Sequence, residues 1–129
     1  MQIYEIMSKE IFSINCKDSI METCKRFYRK KIGSLLVLEE GLLKGIVTER
    51  DIIAKVVILS KDPLNTTVEE IMSTQLVTIN QNADVEEAVR LMDTNKIKKL
   101  PVVSDDGNLV GIITTSDIVK YDLMKNVTQ

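Results

Sequence analysis

Apolar positions along the chain fall into two matched series. Ile20, Cys24 and Phe27 recur at helical spacing in the first half, and Val85, Ala88, Val89 and Met92 do so in the second. Each series follows a short polar residue with glutamate three positions later, Ser19 with Glu22 and Asp84 with Glu87, which is the capping-box signal of a helix start. The pattern therefore predicts two core-facing helices, the first running to about Lys30. Small strands are predicted over Ile11 to Ile14 and Leu76 to Ile79, and stronger ones over Leu35 to Leu38 and Leu100 to Val103. Turns at Gly41 and at Asp105-Asp106-Gly107 lead into third strands ending at Thr48 and Thr114, so each half should contain an antiparallel hairpin. Ile52, Ile53, Val56 and Val57, matched by Ile118, Val119 and Leu123, predict a closing helix that begins near Glu49 or Thr115.

The match between the halves extends to residue identities. At an offset of 65, Glu5-Ile6-Met7-Ser8 meets Glu70-Ile71-Met72-Ser73, and Lys31-Ile32 meets Lys96-Ile97. After one extra residue in the second copy, Gly41, Gly45, Thr48 and Asp51 meet Gly107, Gly111, Thr114 and Asp117. The chain is thus read as a tandem duplication, with repeats at residues 1–59 and 68–129 joined by a polar, proline-containing linker at 60–67. Each repeat has the order β-α-β-β-α. One such unit leaves a sheet face bare, so the expected fold is α/β (α+β), with two repeats packed sheet to sheet about a pseudo-twofold axis.

Composition narrows the function classes. With 129 residues, 44% hydrophobic and 28% charged, the chain has the make-up of a globular domain large enough for a core. No uninterrupted apolar stretch exceeds the four residues Val56 to Leu59, and the N-terminus lacks a signal-like region, so a cytoplasmic protein with no membrane partner is expected. The net charge of -2 gives no reason to expect nucleic acid as a partner. The sequence contains no histidine, which removes the usual general base and every Ser-His or Cys-His arrangement, and no metal pattern is evident. An enzyme is not expected. Cys24, matched by Val89, is read as a buried, inert thiol.

The chemistry that remains sits at two strand-to-helix corners, Gly45-Ile46-Val47-Thr48-Glu49-Arg50-Asp51 and Gly111-Ile112-Ile113-Thr114-Thr115-Ser116-Asp117. Thr-x-x-Asp is a helix cap, because each side chain can satisfy a backbone amide. The same corner can hold a phosphate if some amides stay open at the positive end of the helix dipole. Capping and binding do not exclude each other.

These motifs, together with Lys99-Leu100-Pro101-Val102-Val103 and Asp106-Gly107, closely resemble a tandem pair of cystathionine-β-synthase (CBS) domains, the regulatory Bateman module. The resemblance covers nearly the whole chain and implies a stand-alone module without a catalytic domain. It implies an adenosine-containing ligand, AMP, ADP, ATP or S-adenosylmethionine, in clefts shared by the repeats, and no required cofactor. The motif aspartate would hold ribose hydroxyls and the threonine would contact phosphate. On that pattern Thr114, Asp117 and Ile112 would face Met7, Phe12, Ile32 and Gly33, while Thr48, Asp51 and Ile46 would face Met72, Val77, Ile97 and Lys98. A basic residue before the Leu-Pro strand often reaches phosphate in related modules. Here it is Lys99, with Ser34 as its counterpart, so the Thr114 and Asp117 corner is expected to be the stronger site. The resemblance also implies a homodimer formed through helices and a regulated partner protein whose identity is open. The other reading is a dimeric interaction scaffold whose clefts are vestigial.

Overall fold

The computed structural model describes residues 1–128, with side chains to Lys125, so Gln129, which closes the second repeat, lies outside the described residues. Two compact units are present: residues 12–76, and residues 77–129 together with 1–11.

In the contiguous unit, β1 (Ser13–Asn15) runs parallel to β2 (Ser34–Glu39), which pairs antiparallel with β3 (Leu42–Thr48). The β2–β3 turn places Glu40 and Gly41 at φ 51° and 84°. Positive φ at both central residues is what a two-residue hairpin needs to match the twist of its strands. Helix α1 (Ile20–Lys30) connects β1 to β2, and its Ser19 cap accepts from the Glu22 amide at 3.1 Å. After β3 the chain enters α2 (Glu49–Ile52), widens into a π-helical turn over Ile53–Val57, and later forms α3 (Val68–Ile71). Ile14, Leu35, Val37, Val47, Val56, Val68 and Ile71 share one buried cluster with Ile20 and Phe27.

The other unit repeats the plan with β4 (Ile79–Asn80), α4 (Val85–Asn95), β5 (Lys99–Val103), β6 (Leu109–Thr114) and α5 (Thr115–Thr128). Its β5–β6 turn is longer and places only Gly107 at positive φ, which accounts for the extra residue in the second copy. A 3-10 turn at Ile3–Glu5 opens the chain. Ile3, fully buried, belongs to the cluster of Ile79, Val85, Ala88, Leu100, Val102 and Ile113.

The compact units are offset from the sequence repeats because the leading segment of each repeat pairs with the sheet of the other. Ile3 and Tyr4 donate their amides to Ala83 and Gln81, at 2.9 and 3.0 Å. Ser8 and Ile112 exchange backbone hydrogen bonds at 2.8 and 2.9 Å, and Ser73 does the same with Ile46 at 2.9 Å each way. Glycine makes both approaches possible. A Cβ on Gly45 would stand 2.6 Å from the Ser73 carbonyl oxygen, and one on Gly111 would stand 2.5 Å from Met7 Sδ and 2.9 Å from the Ser8 oxygen.

Several expectations are corrected. The first strand of each repeat begins later than the apolar run, at Ser13 and Ile79, although the Phe12 carbonyl just before β1 still accepts from the Leu36 amide at 3.1 Å. Asp84 forms no side-chain cap. Its backbone is tied to the N-terminal segment by a bridge with Gln2, and its carbonyl accepts from the Glu87 amide at 3.0 Å. Cys24 is half-buried and Val89 is 46% exposed, and their neighbours Thr23 and Ala88 take the fully buried places on α1 and α4. The buried Thr23 hydroxyl donates to the Ser19 carbonyl at 3.1 Å. On the apolar side of the closing helices, Ile52, Val56 and Ile118 are buried, while Ile53, Val57, Val119 and Leu123 are between 55% and 66% exposed.

Cys16 is the buried cysteine, 1% exposed at the end of β1. Its thiol donates to Glu39 Oε2 at 3.0 Å, and this bond to a carboxylate, reinforced by burial, pushes its pKa from 9.0 up to about 11.

Gly45→Ala and Gly111→Ala should each lower unfolding stability by about 1–3 kcal/mol, the usual cost of forcing atoms into a packed site. Gly33→Ala should cost less, since its Cβ meets only the flexible end of Glu49, at 2.9 Å. Urea midpoints at unchanged m-value check this. The raised Cys16 pKa contributes stability that is complete below pH 9 and is lost as pH rises toward about 11. Glu39→Gln should flatten that alkaline loss. Iodoacetamide at pH 8 should modify Cys16 in the wild type only after denaturation.

Candidate functional site

Each corner is made where the last strand of a hairpin turns into a helix. Thr48 is extended, at φ -122° and ψ 164°, so its side chain lies over the first helical turn. Thr48 Oγ1 accepts from the Asp51 amide at 3.1 Å, and Asp51 Oδ2 accepts from the Thr48 amide at 3.0 Å and the Thr48 hydroxyl at 3.1 Å. The second corner repeats this geometry. Asp117 Oδ2 accepts from the Thr114 amide and hydroxyl at 2.9 and 3.0 Å, and Thr114 Oγ1 accepts from the Asp117 amide at 3.2 Å.

The capping is therefore complete, and it consumes more of the helix start than the sequence suggested. The Glu49 and Thr115 amides are also taken, by the carbonyls of Gly33 and Lys98 at 3.0 Å each. Of the first three helical amides, those of Arg50 and Ser116 remain without a partner among the described residues. One open amide and the dipole of the helix still favour an anion at each corner.

The carboxylates differ in their second oxygen. Asp51 Oδ1 lies 3.2 Å from Lys55 Nζ, one helical turn on, and the same ammonium donates to the Ile71 carbonyl at 3.0 Å. At the matching position of the second copy stands Tyr121, which packs against the apolar cluster of its unit. Asp117 Oδ1 has no hydrogen bond or ion pair among the described residues. Sequence reading missed Lys55. Its spacing of four from Asp51 was the available signal, but such pairs are common on helices that bind nothing.

The remaining predicted residues gather by unit. The unit of the first corner, residues 12–76, contains Ile46, Gly33, the half-buried Ile32 and Met72, and Phe12, which is 38% exposed. The unit of the second contains Ile112, Met7, Val77 and Ile97, half-buried, with the exposed Lys98 and Lys99, so Phe12, Ile32 and Gly33 share a unit with Asp51, and Val77, Ile97 and Lys98 share one with Asp117. Lys99 opens β5 directly opposite Thr114, and Ser34 stands in the same register opposite Thr48, so the contrast in charge falls at equivalent places.

One group of metal-type donors lies elsewhere. Ligand atoms of Cys16, Glu39 and Glu69 fall within 4.8 Å of one another. The Cys16 thiol donates to Glu39, and Lys17 Nζ sits 2.7 Å from Glu69 Oε1, so each carboxylate of the group already has a partner.

Comparison with known proteins agrees with this architecture. A family model described as the CBS domain matches residues 3–58 and 68–124. A CBS domain-containing protein of Bacillus subtilis, YhcV, is 34% identical over 116 residues, covering 90% of this chain and 81% of that protein. Some relatives are longer: the chain spans 61% of one from Methanopyrus kandleri and 38% of one from Methanocaldococcus jannaschii. It also spans 22% of the inosine-5'-monophosphate dehydrogenase of Thermoplasma acidophilum. Among solved structures, the CBS domain pair of protein MJ0100, in complex with 5'-methylthioadenosine and S-adenosyl-L-methionine, superposes with a TM-score of 0.73 at 32% identity. That match covers 97% of this chain and 98% of the other. CBSX2, solved in complex with AMP, shares the fold with a TM-score of 0.80 at 23% identity, over 97% and 98% of the two chains. With both halves matched and both corners built alike, the chain belongs to the CBS domain family and carries two copies of the domain.

Proposed function

We propose that this chain is a non-catalytic regulatory module that binds an adenosine-containing ligand and reports it to a partner protein. The observation that carries the reading is the Asp117 carboxylate. One oxygen is fixed by the Thr114 amide and hydroxyl, and the other has no partner among the described residues. A carboxylate held in this way is a ready acceptor for ribose hydroxyls, whose donors need a fixed anion rather than a mobile one. The open Ser116 amide, with Lys99 at the start of the neighbouring strand and Lys98 just before it, supplies positive potential for a phosphate or for the carboxylate of an amino-acid moiety. The relative bound to 5'-methylthioadenosine and S-adenosyl-L-methionine, at 32% identity, supports the same ligand class here. Within that class AMP, ADP, ATP and S-adenosylmethionine are the candidates, bound reversibly. With no histidine in the sequence and both corner carboxylates engaged in caps, the reading assigns no catalytic step to the site.

Exposed apolar residues on a helix of each unit bear on how such a module would act. Ile53, Val57, Ile58 and Leu59 are between 55% and 69% exposed, and on α5 Val119, Leu123 and Met124 are 57% to 61% exposed. Apolar groups in that number favour association. They support the proposal of a homodimer formed through these helices, and they are the observation that favours the scaffold reading.

Calorimetry with AMP, ADP, ATP and S-adenosylmethionine separates the readings. At least one should bind, and at a hundred times its dissociation constant it should add about 2.7 kcal/mol to folding stability. Asp117→Ala should weaken that ligand by about tenfold or more, as loss of a charged hydrogen-bond acceptor does. No heat and no thermal shift at millimolar concentration with any of the four would remove the regulatory reading and leave the scaffold. Light scattering should show a dimer that Val57→Asp or Leu123→Asp dissociates.

A further inference from the structure

Although the two corners share their capping geometry, their carboxylates are not equally available. Asp51 has both oxygens engaged. Oδ2 is held by the Thr48 amide and hydroxyl, and Oδ1 by the Lys55 ammonium at 3.2 Å. The lysine is anchored at a second point, donating to the Ile71 carbonyl at 3.0 Å. It sits on the π-helical turn Ile53–Val57, and its side chain is 43% exposed while that of Asp51 is only 18% exposed. An ammonium held between a carboxylate and a backbone carbonyl is not a free surface charge. A ribose diol arriving at Asp51 would have to displace it, exchanging an ion pair for hydrogen bonds from uncharged hydroxyls and taking the ammonium from the Ile71 carbonyl as well. At Asp117 nothing has to be displaced, because Tyr121 occupies the equivalent position and packs into its own core.

We propose that Lys55 closes the Asp51 corner to nucleosides, so that this chain takes its adenosine ligand at the Asp117 corner alone. The proposal rests on the ligand class argued above and adds the residue that selects between the two copies. It differs from the contrast between Lys99 and Ser34, which concerns attraction of phosphate. Lys55 acts on the ribose-binding group and would exclude an uncharged nucleoside as well as a nucleotide. Lys55 is thus an internal occupant of the site, built into one copy and absent from the other.

The test uses AMP, adenosine and S-adenosylmethionine as probes, with stoichiometry measured by equilibrium dialysis on the whole chain. The native chain should bind one equivalent, lost in Asp117→Asn and kept in Asp51→Asn. Lys55→Met, which preserves the aliphatic stem, should bind a second equivalent, and Lys55→Met with Asp51→Asn should return to one. Lys55→Arg should stay at one, since it keeps the cation. Tyr121→Lys should weaken the native site by about tenfold or more, as expected when a charged hydrogen bond must be broken. Circular dichroism melting confirms that each variant is folded. Two equivalent sites in the native chain would overturn this proposal while leaving the regulatory reading intact. So would a single site that follows Asp51 rather than Asp117, or a folded Lys55→Met chain that still binds one equivalent. Failure of the native chain and every folded variant to bind any probe would overturn the regulatory reading, and this proposal with it.

Discussion

Two backbone exchanges, Ser73 with Ile46 and Ser8 with Ile112, hold the leading segments against the hairpins, and each is possible only because a glycine precedes the isoleucine. The strand that ends at the corner threonine is gripped on one side by its hairpin partner and on the other by this exchange. That double support orients Thr48 and Thr114 before the helix begins, and the aspartates then close the cap. The apolar side chains that travel with the leading segments, Ile71 and Met72 in one unit and Ile3, Ile6 and Met7 in the other, pack on the same sheets. Core, corner and carboxylate are therefore positioned by one approach of two backbones, with no room for even a methyl group.

The internal symmetry of the fold does not extend to its electrostatics. Two positions in register with the corners differ between the copies: serine against lysine at the strand opposite the threonine, and lysine against tyrosine one turn into the helix. Neither change disturbs the capping distances, which agree within 0.1 Å between the copies, as for the Thr48 and Thr114 amides at 3.0 and 2.9 Å. The backbone is set by short-range geometry that both sequences satisfy, whereas the charge near the carboxylate depends on single long side chains. A duplicated fold can in this way keep two copies of a scaffold and give them different affinities.

The hairpins, the helix positions and the threonine-aspartate corners were legible because each is encoded within a few neighbouring residues, and the duplication because those local patterns recur at a nearly fixed offset. What the sequence concealed lies at longer range or at the margin of a periodicity. Cys24 and Val89 fit an apolar stripe as well as Thr23 and Ala88 do, and only the way each helix is turned on its core puts Thr23 and Ala88 on the buried line. Asp84 carries a proper capping pattern, but a strand bridge to Gln2, 82 positions earlier, holds its backbone instead. The pairing of Cys16 with Glu39 depends on the parallel register of β1 and β2, which spacing alone does not specify. Lys55 was visible as a residue, yet its role depends on the Ile71 carbonyl, sixteen positions away and on a different helix.

The exchange of leading segments sets an order on the birth of the molecule. Residues 12–76 are contiguous, so this unit has all of its core in hand once the chain has grown that far from the ribosome. The other unit cannot close at that stage, because residues 1–11 belong with residues from 77 onward, which are made after residues 12–76. Ile3 and its neighbours must wait, apolar and unburied, while the middle of the chain is made. Residues 1–11 thus leave the ribosome before residues 12–76 yet find their place after them, with the polar Gln2, Glu5, Ser8, Lys9 and Glu10 scattered among their apolar neighbours.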